Sequence, residues 1–198
     1  IMKNQEYIEY TYLHRKVVMY LANKYIKKDK EKILKQIQYH DMDKLFMYLF
    51  YDKKDVSAMH RKLSLHHENE IEKNYIDYIE MILDWESARY TKPDKPLNAY
   101  DTLYKYYPNM EHEILPILKE FEIDKPNLPM EKDVLEYANS LKNISMEDIE
   151  KELIDYQAID AEPWEEYKKE MINKYQELSG KTLTEASPET IIFNTISY

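Results

Sequence analysis

The sequence predicts an all-α protein, and three observations carry that prediction. The chain of 198 residues contains one glycine, which leaves little scope for the tight turns of β-hairpins. Ile, Leu, Lys, Glu, Tyr and Met dominate the composition, and apolar residues recur at intervals of three and four along much of the chain. The hydrophobic fraction of 43% lies in the globular range, so we expect these helices to share a packed core.

Four helices are predicted in the first 92 residues from their apolar spacing. Asp29 is a candidate N-cap for the second of them. Two prolines between residues 91 and 96 then make a turn or linker. The four predicted helices span about residues 5–28, 30–51, 55–73 and 70–90.

The remaining residues, 93–198, are predicted to form a helical extension that packs on a core of residues 1–92, as one compact unit. Ser145 with Asp148 is a candidate capping pair, Gly180 a helix end, and Ser187-Pro188 a further helix start. The predicted segments are a tyrosine-rich helix at 100–107 and helices at about 111–121, 130–143, 145–158 and 163–179.

Composition and charge exclude several classes of function. The absence of cysteine excludes disulfides, thiolate metal sites and cysteine nucleophiles, and it fits a reducing compartment, so we expect a cytoplasmic protein. The net charge of −10 argues against general binding to nucleic-acid backbones. No run of about 18 apolar residues and no signal-peptide pattern occurs, so we expect no membrane association.

The segment Tyr39–Lys44 concentrates the chemistry of the chain. His40 offers an imidazole nitrogen and Asp41 a carboxylate oxygen, and this donor pair suits Zn, Mn, Fe, Co or Ni better than Ca. At helical spacing, Asp41 and Lys44 share a face with apolar Ile37, and His40 lies at its margin. A buried charge needs a partner, which is either a metal ion or a salt bridge. Lys44 can pair with a carboxylate or approach a substrate phosphate.

The third predicted helix carries three histidines. His60 and His67 share one face, whereas His66 is turned from His67 by about one hundred degrees. Helical geometry therefore favours His60 with His67, and His66 and His67 can serve one site only if the helix ends there. The alternative is a set of solvent-facing histidines near a helix end. His112 and Asp43 are predicted to be surface residues.

The fourth predicted helix places Glu80 and Asp84 four residues apart on its buried side. Two carboxylates on an apolar stripe repel each other unless a cation lies between them or one is protonated. A metal ion would satisfy them. The alternative is a set of salt bridges to Arg61, Lys44 or Arg89.

His14 lies on the apolar side of the first predicted helix, where a histidine is either a core residue or a ligand. In chain order, His14, the His40-Asp41 pair and Asp84 resemble the signature of the HD-domain superfamily, the all-helical metal-dependent phosphohydrolases. With His66-His67, residues 7–90 are also similar to a smaller, little-characterised HD-like family that has a paired-histidine segment. The resemblance implies the metal ligands His14, His40, Asp41, His67 and Asp84, and the catalytic residues Glu80, Lys44 and His66.

The resemblance implies a divalent-metal-dependent phosphohydrolase, in which metal-activated water attacks a small phosphorylated substrate such as a nucleotide. Glu80, His66 or His67 would take up the proton or hold a second ion. Two other classes stay open. One is an HD-type di-iron oxygenase. The other is a non-catalytic helical protein that keeps the motif and binds a partner through its acidic C-terminal half.

Overall fold

The computed structural model describes residues 4–149, 151 and 161–180. These residues form helices and turns without a β-strand, which confirms the predicted all-α class. None of the described helices is both long enough and apolar enough to cross a membrane. The helices are α1 (Gln5–Tyr25), α2 (Lys30–Ile37), α3 (Met42–Met47), α4 (Lys53–Leu63), α5 (Tyr75–Thr91), α6 (Ala99–Tyr106), α7 (Glu111–Glu120), α8 (Lys132–Ser140) and α9 (Ala161–Ser179).

The second predicted helix is two helices in the structure, α2 and α3. The backbone of Asp41 is left-handed, with φ of 53°, and such a residue interrupts the helical hydrogen-bond ladder. The His40 amide instead donates to the Ile37 carbonyl at 2.8 Å, which closes a tight turn after α2. His40 and Asp41 therefore lie in a turn, where helical spacing does not set the direction of their side chains.

The third predicted helix ends earlier than expected, at Leu63. Residues 64–74 form an irregular segment that carries His66 and His67, so the helical placement of this pair is wrong. The side chain of Asn69 accepts a hydrogen bond from the Ile71 amide at 3.0 Å. Ser64 already has an extended backbone, with ψ of 134°, and local bonds such as that of Asn69 compete with helix formation in the segment that follows.

Three predicted helix ends lie at the expected residues, but one of them lacks its side-chain capping bond. Ser145 Oγ accepts from the Asp148 amide at 3.2 Å, as the capping pair requires, and Gly180 follows α9 with φ of 69°. Asp29 precedes α2 but makes no side-chain capping bond, because its own backbone is left-handed, with φ of 52°. The predicted helix at 145–158 lies partly, and the Ser187-Pro188 start wholly, outside the described residues.

The start of α5 is fixed by a reciprocal capping box. The Asn74 side chain accepts from the Asp77 amide at 3.0 Å, and the Asp77 carboxylate accepts from the Asn74 amide at 2.8 Å. The Asp77 carboxylate also accepts a hydrogen bond from the side-chain amide of Gln36 on α2, at 2.7 Å. This cap defines where the central helix of the site begins.

We expect Asn74→Ala to destabilise the protein by about 1 kcal/mol, because it leaves an amide of the first turn of α5 without its partner. Urea unfolding followed by circular dichroism measures this change. Glu70→Ala is the matched control, since Glu70 is exposed four residues upstream. Equal unfolding midpoints for the two variants would contradict the role of the cap.

The chain groups into two compact units. Unit 1 comprises Ile1–Tyr12, Asp41–Ser64 and Asn143–Tyr198, and unit 2 comprises Leu13–His40 and Leu65–Lys142. These units are defined by spatial contact. The division near residue 92, which was drawn from sequence motifs, stays a prediction.

Unit 2 has α5 as its central helix. Five consecutive residues of α5, from Ile79 to Leu83, are buried, so neighbouring helices cover more than one side of it. It packs against α2, α6, α7 and α8. The buried core of this unit further includes Val17, Val18, Leu21, Ile37, Leu103, Ile114, Leu118, Val134 and Ala138.

Unit 1 packs α4 against α3 and α9. Its buried apolar residues include Met42, Leu45, Val56 and Met59. The side chain of Asn4, just before α1, donates to the carbonyls of two residues after α3, at 2.8 and 2.9 Å. The unit is thus assembled from three separate stretches of sequence.

Candidate metal centre

Helix α5 supplies a polar row to the interior of unit 2. Glu80, Asp84 and Ser87 are spaced four and three residues apart and therefore lie on one face of the helix. Glu80 and Ser87 are buried, and the Asp84 side chain keeps 19% of its surface exposed. Solvent can therefore reach this row on the side of Asp84.

Three predicted ligands meet at this row. His14 Nε2 lies 2.8 Å from Asp84 Oδ1 and 3.0 Å from His40 Nε2, and His40 Nε2 lies 3.4 Å from Asp84 Oδ1. His14 comes from α1 and His40 from the turn after α2, and both imidazoles are buried. One carboxylate oxygen and two ring nitrogens, from three separate segments, thus converge on one point.

The separations among these atoms fit a metal ion. Nitrogen and oxygen ligands bind transition metals at about 2.0–2.1 Å, so two ligands of one ion at octahedral or tetrahedral angles are about 2.8–3.4 Å apart. The three observed separations lie within that range. Facing nitrogens beside a carboxylate also require a donor among them, which is either a ring N–H or a metal ion in its place.

A second group adjoins the first and shares His40. His40 Nδ1 lies 2.9 Å from Glu80 Oε1, and His66 Nδ1 lies 3.1 Å from the same oxygen. The His40 and His66 rings are tilted by 43° to each other, with their centroids 4.2 Å apart. The buried groups His14–His40–Asp84 and His40–His66–Glu80 could each hold a metal ion.

The two carboxylates of the centre are held in their charged form. Burial raises the pKa of Glu80, but the imidazoles of His66 and His40 outweigh burial and lower that pKa to about 2. Burial likewise raises the pKa of Asp84, and the hydrogen bonds and charges of His14 and His40 lower it well below its usual range. The centre therefore offers charged oxygen ligands at neutral pH.

Two further contacts in unit 2 hold the histidines in place. Ser87 Oγ lies 3.2 Å from His14 Nδ1, on the side of the ring opposite to Asp84. The Arg15 guanidinium donates to the carbonyls of His40 and Gln38 and so secures the turn that carries His40. Neither Ser87 nor Arg15 was predicted from the sequence. Ser87 could have been found because it lies three residues after Asp84, and Arg15 because it lies beside His14.

Asp41 and Lys44 belong to unit 1, where they contact each other. Asp41 Oδ1 lies 2.9 Å from His60 Nε2, and Asp41 Oδ2 lies 3.3 Å from Lys44 Nζ. These contacts match the salt-bridge alternative for Asp41. Its role as a metal ligand, and that of Lys44 toward a substrate phosphate, stay predictions.

Asp43 is buried, so the prediction that it is a surface residue is wrong. Its carboxylate accepts from His60 Nδ1 at 2.8 Å and from the hydroxyl of Tyr175 on α9. Burial raises the pKa of Asp43, but the His60 charge and these bonds lower it to about 2. His60 thus joins two aspartates, and we call the chain Tyr175–Asp43–His60–Asp41 the unit 1 network.

The remaining predicted residues are placed as follows. His67 is half-buried, and its ring centroid lies 4.5 Å from that of His66, so its role as a ligand stays a prediction. His112 is exposed on α7, as predicted. Arg89 pairs with Glu86 at 3.2 Å, whereas Glu80 and Asp84 bond to histidines.

Comparison with known proteins adds no relative: no protein-family model, no curated protein and no solved structure matches the chain.

Proposed function

We propose that the protein is a divalent-metal-dependent phosphohydrolase that acts on a nucleotide or a related phosphoester. The observation that carries the proposal is the buried convergence of His14, His40 and Asp84 in unit 2. These residues are three of the four that resemble the HD-domain signature, and they occur in the same order. The resemblance supplies the reaction class, and the geometry supports a metal ion as its agent.

His14, His40 and Asp84 would hold the ion, and the ion would lower the pKa of a bound water and offset charge on phosphoryl oxygens. Two neutral imidazoles and one carboxylate contribute a single negative charge. A divalent ion would leave itself and these three ligands with a net positive charge, which would attract an anionic substrate even though the charged Glu80 lies beside His40. This local charge counts for more than the overall charge of −10, because the ion is at contact distance.

Metal analysis followed by a substrate screen tests the proposal. Protein purified without chelator is analysed for Mn, Fe, Co, Ni and Zn, loaded with each ion in turn, and assayed for phosphate release from nucleotides. We expect near-stoichiometric metal and metal-dependent hydrolysis of at least one phosphoester. Absence of metal after loading would overturn the proposal and favour a non-catalytic helical binding protein.

We expect His66→Ala to lower kcat by about 10²- to 10⁴-fold, the usual contribution of a proton-transferring side chain. The metal content should stay near that of the unaltered protein, because His66 does not belong to the group His14–His40–Asp84. Metal analysis and steady-state kinetics on the same preparation separate the two effects. The exposed His112, replaced by alanine, is the control, and a parallel loss of metal in His66→Ala would make His66 a ligand instead.

The second group favours one other candidate, an HD-type oxygenase with two iron ions. His40, His66 and Glu80 adjoin the first group, so the centre has donors for a second ion. Two irons per chain with a visible absorption band, and no phosphate release from any nucleotide, would favour this candidate.

A further inference from the structure

We infer that Glu80 and Ser87 are positioning residues that hold a ring proton of His40 and of His14 on Nδ1, so that Nε2 of each ring is the nitrogen directed at the ion. The inference rests on the proposed function, because it assigns roles around the same metal-binding group. It starts from the hydrogen bonds at Nδ1, the opposite nitrogen of each ring.

Ser87 determines which nitrogen of His14 carries the proton. A serine hydroxyl has one hydrogen, and Ser87 Oγ donates it to the Asp84 carbonyl at 2.8 Å. Toward His14 Nδ1, at 3.2 Å, the same oxygen can then only accept. Nδ1 of His14 therefore carries a proton. An ion in the group His14–His40–Asp84 would replace the proton that otherwise joins Nε2 to Asp84 Oδ1 at 2.8 Å, and Nε2 would then bind the ion.

Glu80 does the same for two rings at once. A charged carboxylate only accepts hydrogen bonds, so both Nδ1 atoms that lie about 3 Å from Glu80 Oε1 must be the donors. Nε2 of His40 is then unprotonated and faces His14 and Asp84. His66 is held in the same tautomer, with its own Nε2 unprotonated.

The three side chains on the polar row of α5 thus divide the work. Asp84 supplies a ligand, and Glu80 and Ser87, one turn to either side of it, orient the two imidazole ligands. The resemblance to HD-domain proteins implies that Glu80 is a catalytic residue. In this assignment Glu80 acts through His40 and His66, since its oxygen already accepts two N–H groups.

Zinc affinity, measured by competition with a chromophoric chelator, tests the assignment. Glu80→Ala should weaken zinc binding about 10- to 100-fold, the usual effect of removing a residue that supports a histidine ligand. Glu80→Gln should lie between, because its amide oxygen can still accept the N–H groups but lacks the charge that strengthens those bonds. Ser87→Ala should have a smaller effect, since its bond is neutral and longer.

Glu86→Gln is the matched control. Glu86 is a buried carboxylate on α5, but its partners are Arg89 and the Ala99 amide. Its replacement is expected to change stability and to leave zinc affinity unaltered. Circular dichroism on every variant separates a loss of folding from a loss of affinity, and Glu80→Gln carries the test if Glu80→Ala does not fold.

Nitrogen NMR of the zinc-loaded protein reads the tautomers directly. We expect His14 and His40 to bind zinc through Nε2 while Nδ1 carries a proton. Coordination of His40 through Nδ1, or unaltered zinc affinity in Glu80→Ala, would overturn the inference and leave the proposed function standing. Failure of the unaltered protein to bind zinc or any other tested divalent ion would overturn both.

Discussion

Replacing His40 with alanine is expected to abolish stoichiometric metal binding. His40 belongs to both donor groups of unit 2, since its Nε2 faces His14 and Asp84 and its Nδ1 faces Glu80. The loss of metal affinity should be larger than about 10- to 100-fold, which is the usual effect of removing a residue that only supports a ligand. Elemental analysis of protein purified without chelator measures it.

His112→Ala is the control for this experiment, because it removes an exposed histidine from α7 without touching the centre. We expect this variant to keep its full metal content. The helical circular dichroism of His40→Ala should remain, since the core of unit 2 is built from apolar residues elsewhere. Full metal occupancy in His40→Ala would show that the turn after α2 contributes no ligand to the site.

Removing the metal with a chelator is expected to lower the melting temperature by roughly 5 to 16 °C. An ion that binds only the folded chain adds about 2.7 kcal/mol at one hundred times its Kd and about 4.1 kcal/mol at one thousand times. For a chain of this length, each kcal/mol corresponds to about 2–4 °C. The donors come from α1, from the turn after α2 and from α5, so they converge only in the folded protein.

Differential scanning calorimetry with and without EDTA, followed by re-addition of the ion, measures this change. The His40→Ala variant should melt at one temperature under all three conditions, because it has no ion to lose. An unaltered protein whose melting temperature ignores both chelator and ion would show that the His14–His40–Asp84 group binds no metal at the concentrations used.

The centre of unit 2 could be predicted from the sequence in large part because its residues lie on local patterns. Glu80 and Asp84 are one helical turn apart, and His14 lies on the apolar side of a long amphipathic stretch. Such spacing places side chains toward the core without knowledge of the rest of the fold. The order of the histidines and aspartates then indicated which helices come together.

What could not be predicted depended on backbone conformation and on distant contacts. Nothing in helical periodicity indicates that Asp41 is left-handed, since the apolar spacing continues through it into α3. Asp43 looked like a surface acid because its burial depends on Tyr175, which is 132 residues away. His66 and His67 were predicted to lie on a helix because apolar spacing does not reveal local side-chain bonds such as the one at Asn69.

The three-segment construction of unit 1 has a consequence for its synthesis on the ribosome. Asp43 and His60 are made early, but the unit 1 network is closed by the Tyr175 hydroxyl on α9. At translation rates of about 5–20 residues per second, the 132 residues between Asp43 and Tyr175 take about 7 to 26 s. During that interval the nascent chain holds a charged aspartate with an incomplete set of donors. The last residue of unit 2, Lys142, is made within that interval, so we expect unit 2 to fold first. We expect unit 1 to become protease-resistant only after α9 has left the exit tunnel.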